Sequence, residues 1–174
     1  AAQEYASPRP NGLVTSGGLG TMGFEVPASV GVQVACPDET VWVVAGDGSF
    51  QMTQQELATI AQEGLPVKIA VLNNGHHGMV RQLQEVYCDR RYVDVALRPP
   101  DFVMLAGAYG IRAERVERKQ EVLAAVERAR AHSGPFLLEF VVEEHENVLP
   151  MCRAGASLDE MIEETNELLV RQEA

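Results

Sequence analysis

Thr40-Val41-Trp42-Val43-Val44-Ala45-Gly46-Asp47-Gly48-Ser49 decides the reading of this chain. The run up to Ala45 is apolar and β-branched, and it stops at a glycine–acid–glycine turn. A short run with no polar face reads as a strand buried on both sides. Thr53-Gln54-Gln55-Glu56 follows, a hydroxyl three residues before a glutamate, which predicts a helix start. Leu57, Ile60 and Ala61 recur at helical spacing, Gly64 stops that helix, and Pro66 lies just beyond. Val67 to Leu72 is a second apolar run, ended by Asn73-Asn74-Gly75.

The same alternation continues. A helix is expected from His77 or Gly78 to about Tyr87, and Asp101 after Pro99-Pro100 can cap another through Ala108. Ile111 to Val116 reads as a strand with polar alternation. Lys119 to Ala131 carries Val122, Leu123, Val126 and Ala129 on one helical face. Ser133-Gly134-Pro135 breaks the chain before the apolar run Phe136 to Val142. Strand and helix in turn, with short connections, predict an α/β fold: a doubly wound, mostly parallel sheet with helices on both faces. Residues 1–12 read as a loop and Glu143 to Gly155 as an irregular tail that stays out of the sheet. Leu158 to Val170 reads as a last amphipathic helix. The domain is expected over 1–150, with 151–174 as tail and helix.

The whole sequence is 174 residues, 46% hydrophobic and 22% charged, with a net charge of −11. That is globular composition, and it argues against a nucleic-acid partner, whose backbone an acidic surface repels. No apolar run is long enough to cross a bilayer, so no membrane role is expected. Cys36, Cys88 and Cys152 form no C-x-x-C pair, which leaves zinc and a disulfide framework unsupported and fits a reducing cytoplasmic setting.

Chemistry concentrates at strand ends. In open α/β sheets, ligands bind outside the carboxyl ends of strands. Gly46 and Gly48 let a backbone approach an anion closely, and Ser49 offers N–H groups near a helix start. Asp47 beside a phosphate requires an intervening cation, and a hard divalent ion such as magnesium combines one or two carboxylates with phosphate oxygens. Between Gly48 and Asn73 lie 24 residues, room for one helix and one strand. That spacing places Asn73-Asn74 on the same sheet edge as Asp47, where an Asn oxygen and a backbone carbonyl can complete the protein's share. Taken alone, Met22 reads as a core methionine. The glycine-rich segment Ser16-Gly17-Gly18-Leu19-Gly20 lacks the G-x-G-x-x-G spacing of a dinucleotide fold.

Gly46-Asp47-Gly48-Ser49 followed by Asn73-Asn74 resembles the thiamin diphosphate motif. Leu13 to Phe24, Pro66-Val67-Lys68, Gly78-Met79-Val80-Arg81-Gln82, Pro100-Asp101-Phe102 and Glu146 to Met151 look like the acetolactate synthase (acetohydroxyacid synthase) family. The resemblance covers essentially the whole chain. It implies the diphosphate-binding domain of a catalytic subunit, without that domain's first strand and helix. It implies magnesium on Asp47 and Asn74 through side chains and on His76 through its carbonyl, and a diphosphate lined by Gly48, Ser49, His77 and Gly78. Gly20 would offer its carbonyl to the 4'-amino group, Met22 would hold the cofactor's two rings in a V, and Met79 would lie on the substrate side. The implied substrates are pyruvate and 2-oxobutanoate, giving 2-acetolactate or 2-aceto-2-hydroxybutanoate for branched-chain amino acids. No residue of this chain is assigned as a catalytic acid or base. The activating glutamate and FAD are expected on domains outside it, so the chain alone is expected to be inactive. The implied partners are a homodimer or higher homo-oligomer through another subunit's pyrimidine-binding domain, and a regulatory small subunit. Glu25, Leu83 and the pair His76-His77 depart from the family's usual residues: small, Trp, and acidic or polar, respectively. Another thiamin diphosphate decarboxylase or carboligase, or a non-catalytic phosphate-binding module, are the alternatives.

Overall fold

A computed structural model describes residues 5–7 and 10–163 of the chain. It divides into two compact units, Ala1–Asn73 with Arg98–Val142, and Asn74–Leu97 with Glu143–Ala174. The first carries a four-stranded sheet: β1 (Trp42–Gly46), β2 (Lys68–Asn73), β3 (Arg112–Val116) and β4 (Phe136–Val141). Their order across the sheet is β1-β2-β4-β3. Every pairing is parallel, with Val43 opposite Ile69, Val71 opposite Glu139, and Arg115 opposite Glu139. The expected α/β architecture is therefore present.

Alternation along the strands sends side chains to two faces. Val43, Ala45, Ile69, Val71 and Leu137 join one core with Val26, Phe50, Leu57, Ile60, Phe102 and Ala106. Those six come from α1 (Glu25–Ala35), α2 (Asp47–Thr53), α3 (Leu57–Gln62) and α5 (Phe102–Ala108). On the opposite face, Val116, Phe136 and Leu138 pack against Ala125 and Ala129 of α6 (Val122–Ala131).

The sequence reading assigned no element to residues 25–35, yet α1 forms there. Pro27 lies in its first turn, where a missing N–H costs nothing. Buried Gln33 closes its other end by donating to the carbonyls of Cys36 (3.2 Å) and Glu39 (3.1 Å). The capping box expected at Thr53 does not form. Helix begins earlier, at Asp47, and a short 3-10 turn over Gln54–Glu56 joins α2 to α3. Asp101 caps α5 as expected, its Oδ1 accepting from the Met104 N–H at 2.9 Å. That bond, reinforced by Arg115, holds the Asp101 carboxyl below its ordinary range.

Two buried polar groups tie the first unit together. Lys68 Nζ donates to the carbonyls of His132 (2.7 Å) and Gly134, satisfying the turn that follows α6. Glu139 accepts from Asn73 Nδ2 at 2.7 Å and from Arg115 Nε at 2.8 Å. Arg115 reaches on to Asp101 at 3.0 Å.

The second unit is built on α4 (Gly78–Tyr87), whose buried face is Arg81, Gln82, Glu85 and Val86. Arg81 donates to Glu85 (2.9 Å), to the His145 carbonyl (3.1 Å) and to Asn147 Oδ1 (2.6 Å). Gln82 pairs like a peptide with Val148, accepting from its N–H at 2.7 Å and donating to its carbonyl at 2.9 Å. The segment after β4 is thus irregular and outside the sheet, as expected, while remaining anchored to α4. The final helix expected from Leu158 does not begin there. Leu158–Glu160 is a 3-10 turn with a capping box from Ser157 and Glu160, and Ile162 turns into an antiparallel bridge with Met151. That bridge buries Ile162 with Val86, against Leu149 and Met151. The rest of that expected helix lies outside the described residues.

Candidate cofactor site

The residues singled out by sequence fall into two groups. In the first unit, a loop carrying Gly20 and Met22 meets the junction of β1 and α2. Ser16 shapes the loop, its carbonyl accepting from the Gly20 N–H (2.8 Å) and its hydroxyl from the Thr21 N–H (3.1 Å). Gly20 has φ +63°, the left-handed region that suits glycine. Met22 is 40% exposed, which corrects its reading as a core methionine. Next to it, Gly23 has φ +81° and is held by α2. Its N–H donates to Ser49 Oγ at 2.8 Å, and its carbonyl accepts from Thr53 Oγ1 at 2.9 Å.

Asp47 follows the carboxyl end of β1 in the first turn of α2, with 1% of its surface exposed. Gly48 beside it is also buried. The neighbouring parallel strand ends at Asn73, one position beyond the Gly46–Leu72 pairing, so the expected shared edge for these strand ends is present. Asn73 itself turns its amide to Glu139.

The second group opens the second unit. Asn74 Oδ1 accepts from the His76 N–H at 3.2 Å, and the His76 ring nitrogen Nδ1 lies 3.1 Å from the Asn74 carbonyl. Gly75 has φ +66°, and its carbonyl accepts from the Leu97 N–H at 2.7 Å. His77 precedes α4 and donates its N–H to the Val95 carbonyl at 2.8 Å. Gly78 is the first residue of α4, and a Cβ there would sit 3.1 Å from Asn74 Nδ2, so only glycine leaves that amide in place. Met79 is 49% exposed. The His76 ring faces Glu144 at 3.4 Å, with the His145 ring 6.0 Å away.

A hard divalent ion fits this chemistry. The first unit offers the buried Asp47 carboxylate, and the second, by itself, the Asn74 amide oxygen and the His76 carbonyl. No group of three or more His, Cys, Asp or Glu among the described residues could hold a metal. A magnesium ion that shares its shell with phosphate oxygens needs no such cage, whereas a structural zinc does.

A family described as thiamine pyrophosphate enzyme, C-terminal TPP-binding domain, matches residues 1–140. The chain belongs to this family. As a thiamine pyrophosphate domain it is 48% identical over 164 residues to the acetolactate synthase isozyme 2 large subunit of Escherichia coli K12, covering 94% of this chain and 30% of that one. It is 44% identical over 162 residues to the mitochondrial acetolactate synthase catalytic subunit of Saccharomyces cerevisiae, covering 93% and 24%. Among solved structures, the thiamine diphosphate-dependent 4-hydroxybenzoylformate decarboxylase of Rhodococcus jostii RHA1 superposes with a TM-score of 0.67 and 33% identity. That match covers 72% of this chain and 24% of the other. The domain thus spans about a quarter to a third of the length of these relatives. No helix among the described residues is long and apolar enough to cross a membrane.

Sequence reasoning missed Thr53 and Gly23 as parts of this region. Thr53 carried a helix-start signal that pointed to the wrong role, and Gly23 is one of several glycines with no local mark of distinction. Glu139 was hidden inside an apolar strand, where its charge alone could have flagged it.

Proposed function

We propose that this chain is the diphosphate- and magnesium-binding domain of an acetolactate synthase catalytic subunit. The reaction would decarboxylate pyruvate and condense the remainder with pyruvate or 2-oxobutanoate. The observation that carries this reading is the buried Asp47 at the end of β1, on the sheet edge where β2 ends before Asn74, within a chain 48% identical to an acetolactate synthase large subunit. Residues 1–150 would form the binding domain and 151–174 its tail. The assembly would be a homo-oligomer in which another subunit supplies the pyrimidine side, with FAD and a regulatory small subunit as further partners.

Bound thiamin diphosphate supplies the electron sink that lets a 2-keto acid lose carbon dioxide and join a second one. The work of this chain is positioning. Asp47 would hold the cation with its carboxylate, Asn74 with its amide oxygen and His76 with its carbonyl. Gly48, Ser49, His77 and Gly78 would line the diphosphate, at helix starts whose dipoles favour negative charge. The His77 N–H is donated to the Val95 carbonyl, so His77 would line the site without that group. Gly20 would offer its carbonyl to the aminopyrimidine, exposed Met22 would support the bend between the rings, and Met79 would line the substrate side. No general acid or base is assigned within this chain.

The test is calorimetry of thiamin diphosphate and magnesium on the enzyme carrying this chain. Asp47→Ala should weaken magnesium-dependent binding by well over tenfold, more than about 1.4 kcal/mol, because the phosphate charge loses its bridge. Asn74→Ala should weaken it less, since a neutral ligand is lost. Unchanged affinity in Asp47→Ala would remove the proposal. Product analysis with pyruvate separates the carboligase from a decarboxylase, which would release acetaldehyde alone.

A further inference from the structure

Met22 poses a physical problem. Met22 is 40% exposed and lies outside the buried core, yet the proposed function asks it to support one cofactor geometry. Its position must come from the backbone on either side. On the amino side the loop is glycine-rich and open. A Cβ at Gly18 or Gly20 would meet nothing within 4 Å, and at Gly17 only the Thr15 side chain. That stretch supplies the Ser16–Gly20 turn and no packed wall.

On the carboxyl side the situation reverses. Gly23 is fully gripped: N–H to Ser49 Oγ at 2.8 Å, carbonyl to Thr53 Oγ1 at 2.9 Å. Ser49 and Thr53 are four residues apart on α2, so their side chains rise from the same helical face one turn apart. The grip is tight as well as polar. A Cβ on Gly23 would lie 2.9 Å from Thr53 Cγ2 and 3.0 Å from Met52 Cβ. Helix α2 itself starts at Asp47 and buries Phe50 in the main core, so the clamp stands on a rigid element. Two hydroxyls thereby fix the peptide groups flanking Gly23, and with them the residue before it.

We infer that Thr53, together with Ser49, forms a clamp on Gly23 that positions Met22, making Thr53 a positioning residue for the cofactor. This rests on the proposed function for the role of Met22, while the clamp itself stands on the hydrogen bonds alone. With its O–H turned to the Gly23 carbonyl, the Thr53 hydroxyl accepts no N–H from the following turn.

The test compares Thr53→Val, which keeps the shape and loses the hydroxyl, with Thr53→Ser, which keeps the hydroxyl. Two readouts are taken on the intact enzyme. Amide hydrogen exchange at Gly23 is measured without cofactor, and the exchange rate of the thiazolium C2 proton is measured with thiamin diphosphate and magnesium bound. In Thr53→Val the Gly23 N–H keeps its Ser49 acceptor, but Gly23 loses the carbonyl bond that seats it against α2. The Gly23 amide should therefore open and exchange faster and the C2 proton exchange slower, each by about threefold to tenfold, the size of one net hydrogen bond. Thr53→Ser should restore both towards the parent. Unchanged Gly23 protection in Thr53→Val overturns the clamp, and so does Thr53→Ser behaving like Thr53→Val. Faster Gly23 exchange with unchanged C2 exchange overturns the link to Met22. A Thr53→Val protein that does not fold also overturns the proposal, because the hydroxyl would then serve the whole fold. If the parent enzyme binds no thiamin diphosphate, the functional reading fails, while Gly23 exchange still decides the clamp.

Discussion

Glu139→Gln is the most informative single change in the sheet. The Glu139 side chain is 3% exposed and accepts two hydrogen bonds, from Asn73 Nδ2 at 2.7 Å and from Arg115 Nε at 2.8 Å. Glutamine keeps the volume but replaces one acceptor oxygen with an NH2 group. One of the two donors then faces that NH2 group and its bond is lost. A surviving bond from Asn73 is neutral, and one from Arg115 keeps only the guanidinium's charge. A hydrogen bond to a charged group contributes about 1.5–3 kcal/mol net, and a stranded buried donor costs about 1–3 kcal/mol. Arg115 is 37% exposed and can turn to water, which removes much of the second cost. The expected loss is therefore about 2 kcal/mol, near the low end of the combined range.

Urea unfolding of the chain measures this directly. With a slope of about 1–3 kcal/mol per molar for a chain of this class, a loss of about 2 kcal/mol moves the midpoint down by roughly 1 M at unchanged slope. A cycle combining Glu139→Gln with Arg115→Met should give a coupling of about 1 kcal/mol or more, since both changes remove the same bond. A midpoint equal to the parent's, or a coupling of zero, would refute the claim that this buried carboxylate is held by its two donors.

Two further outcomes follow from the same contacts. The Met104 N–H and Arg115 hold the Asp101 carboxyl below its ordinary range, so its contribution is present above the unfolded-chain value and lost as pH falls through the lowered folded value. Asp101→Asn, which can still cap α5, should flatten the acid limb of a stability-versus-pH curve, and an unchanged limb would count against this. Arg81→Met removes a buried cation bonded to Glu85, His145 and Asn147 and leaves Glu85 to the Asn147 amide at 3.3 Å and Arg90 at 3.9 Å, which should cost about 3 kcal/mol, the low end for breaking a buried pair. Limited proteolysis should then cut first within 143–151, and cleavage patterns identical to the parent's would contradict the anchoring of that segment to α4.

The strands were legible because their runs are nearly continuous and apolar, but only β2 and β4 are buried on both faces over their first four residues. Strand β1, expected to be buried on both sides, buries Val43 and Ala45 and leaves Val44 50% exposed, so it buries one face only. Helix α1 was not, because Glu25-Val26-Pro27-Ala28-Ser29 has neither an apolar stripe nor a capping side chain. The last helix was misread for the opposite reason. Met161 and Ile162 fit a helical stripe, but adjacent apolar residues serve an extended segment equally well, and the Met151 backbone offered Ile162 a bridge that buries it completely.

The site divides along the same physical line. The places of Asp47, Gly48 and Asn74 just after strand ends were legible, because apolar patterning encodes strand ends. The hydrogen bonds around them were not, because each joins partners far along the chain: Ser49 with Gly23 across 26 positions, Thr53 with Gly23 across 30, Asn73 with Glu139 across 66. Local patterning tells how deeply a side chain is buried, whereas topology decides which donor meets which acceptor. Thr53 shows the competition directly. Its spacing to Glu56 satisfies a capping box, and in isolation its hydroxyl would serve the next turn. Once β1 and α2 bring Gly23 alongside, its carbonyl, which Pro27 four residues on has no N–H to satisfy, takes the Thr53 O–H, and the hydroxyl so turned accepts nothing from the next turn.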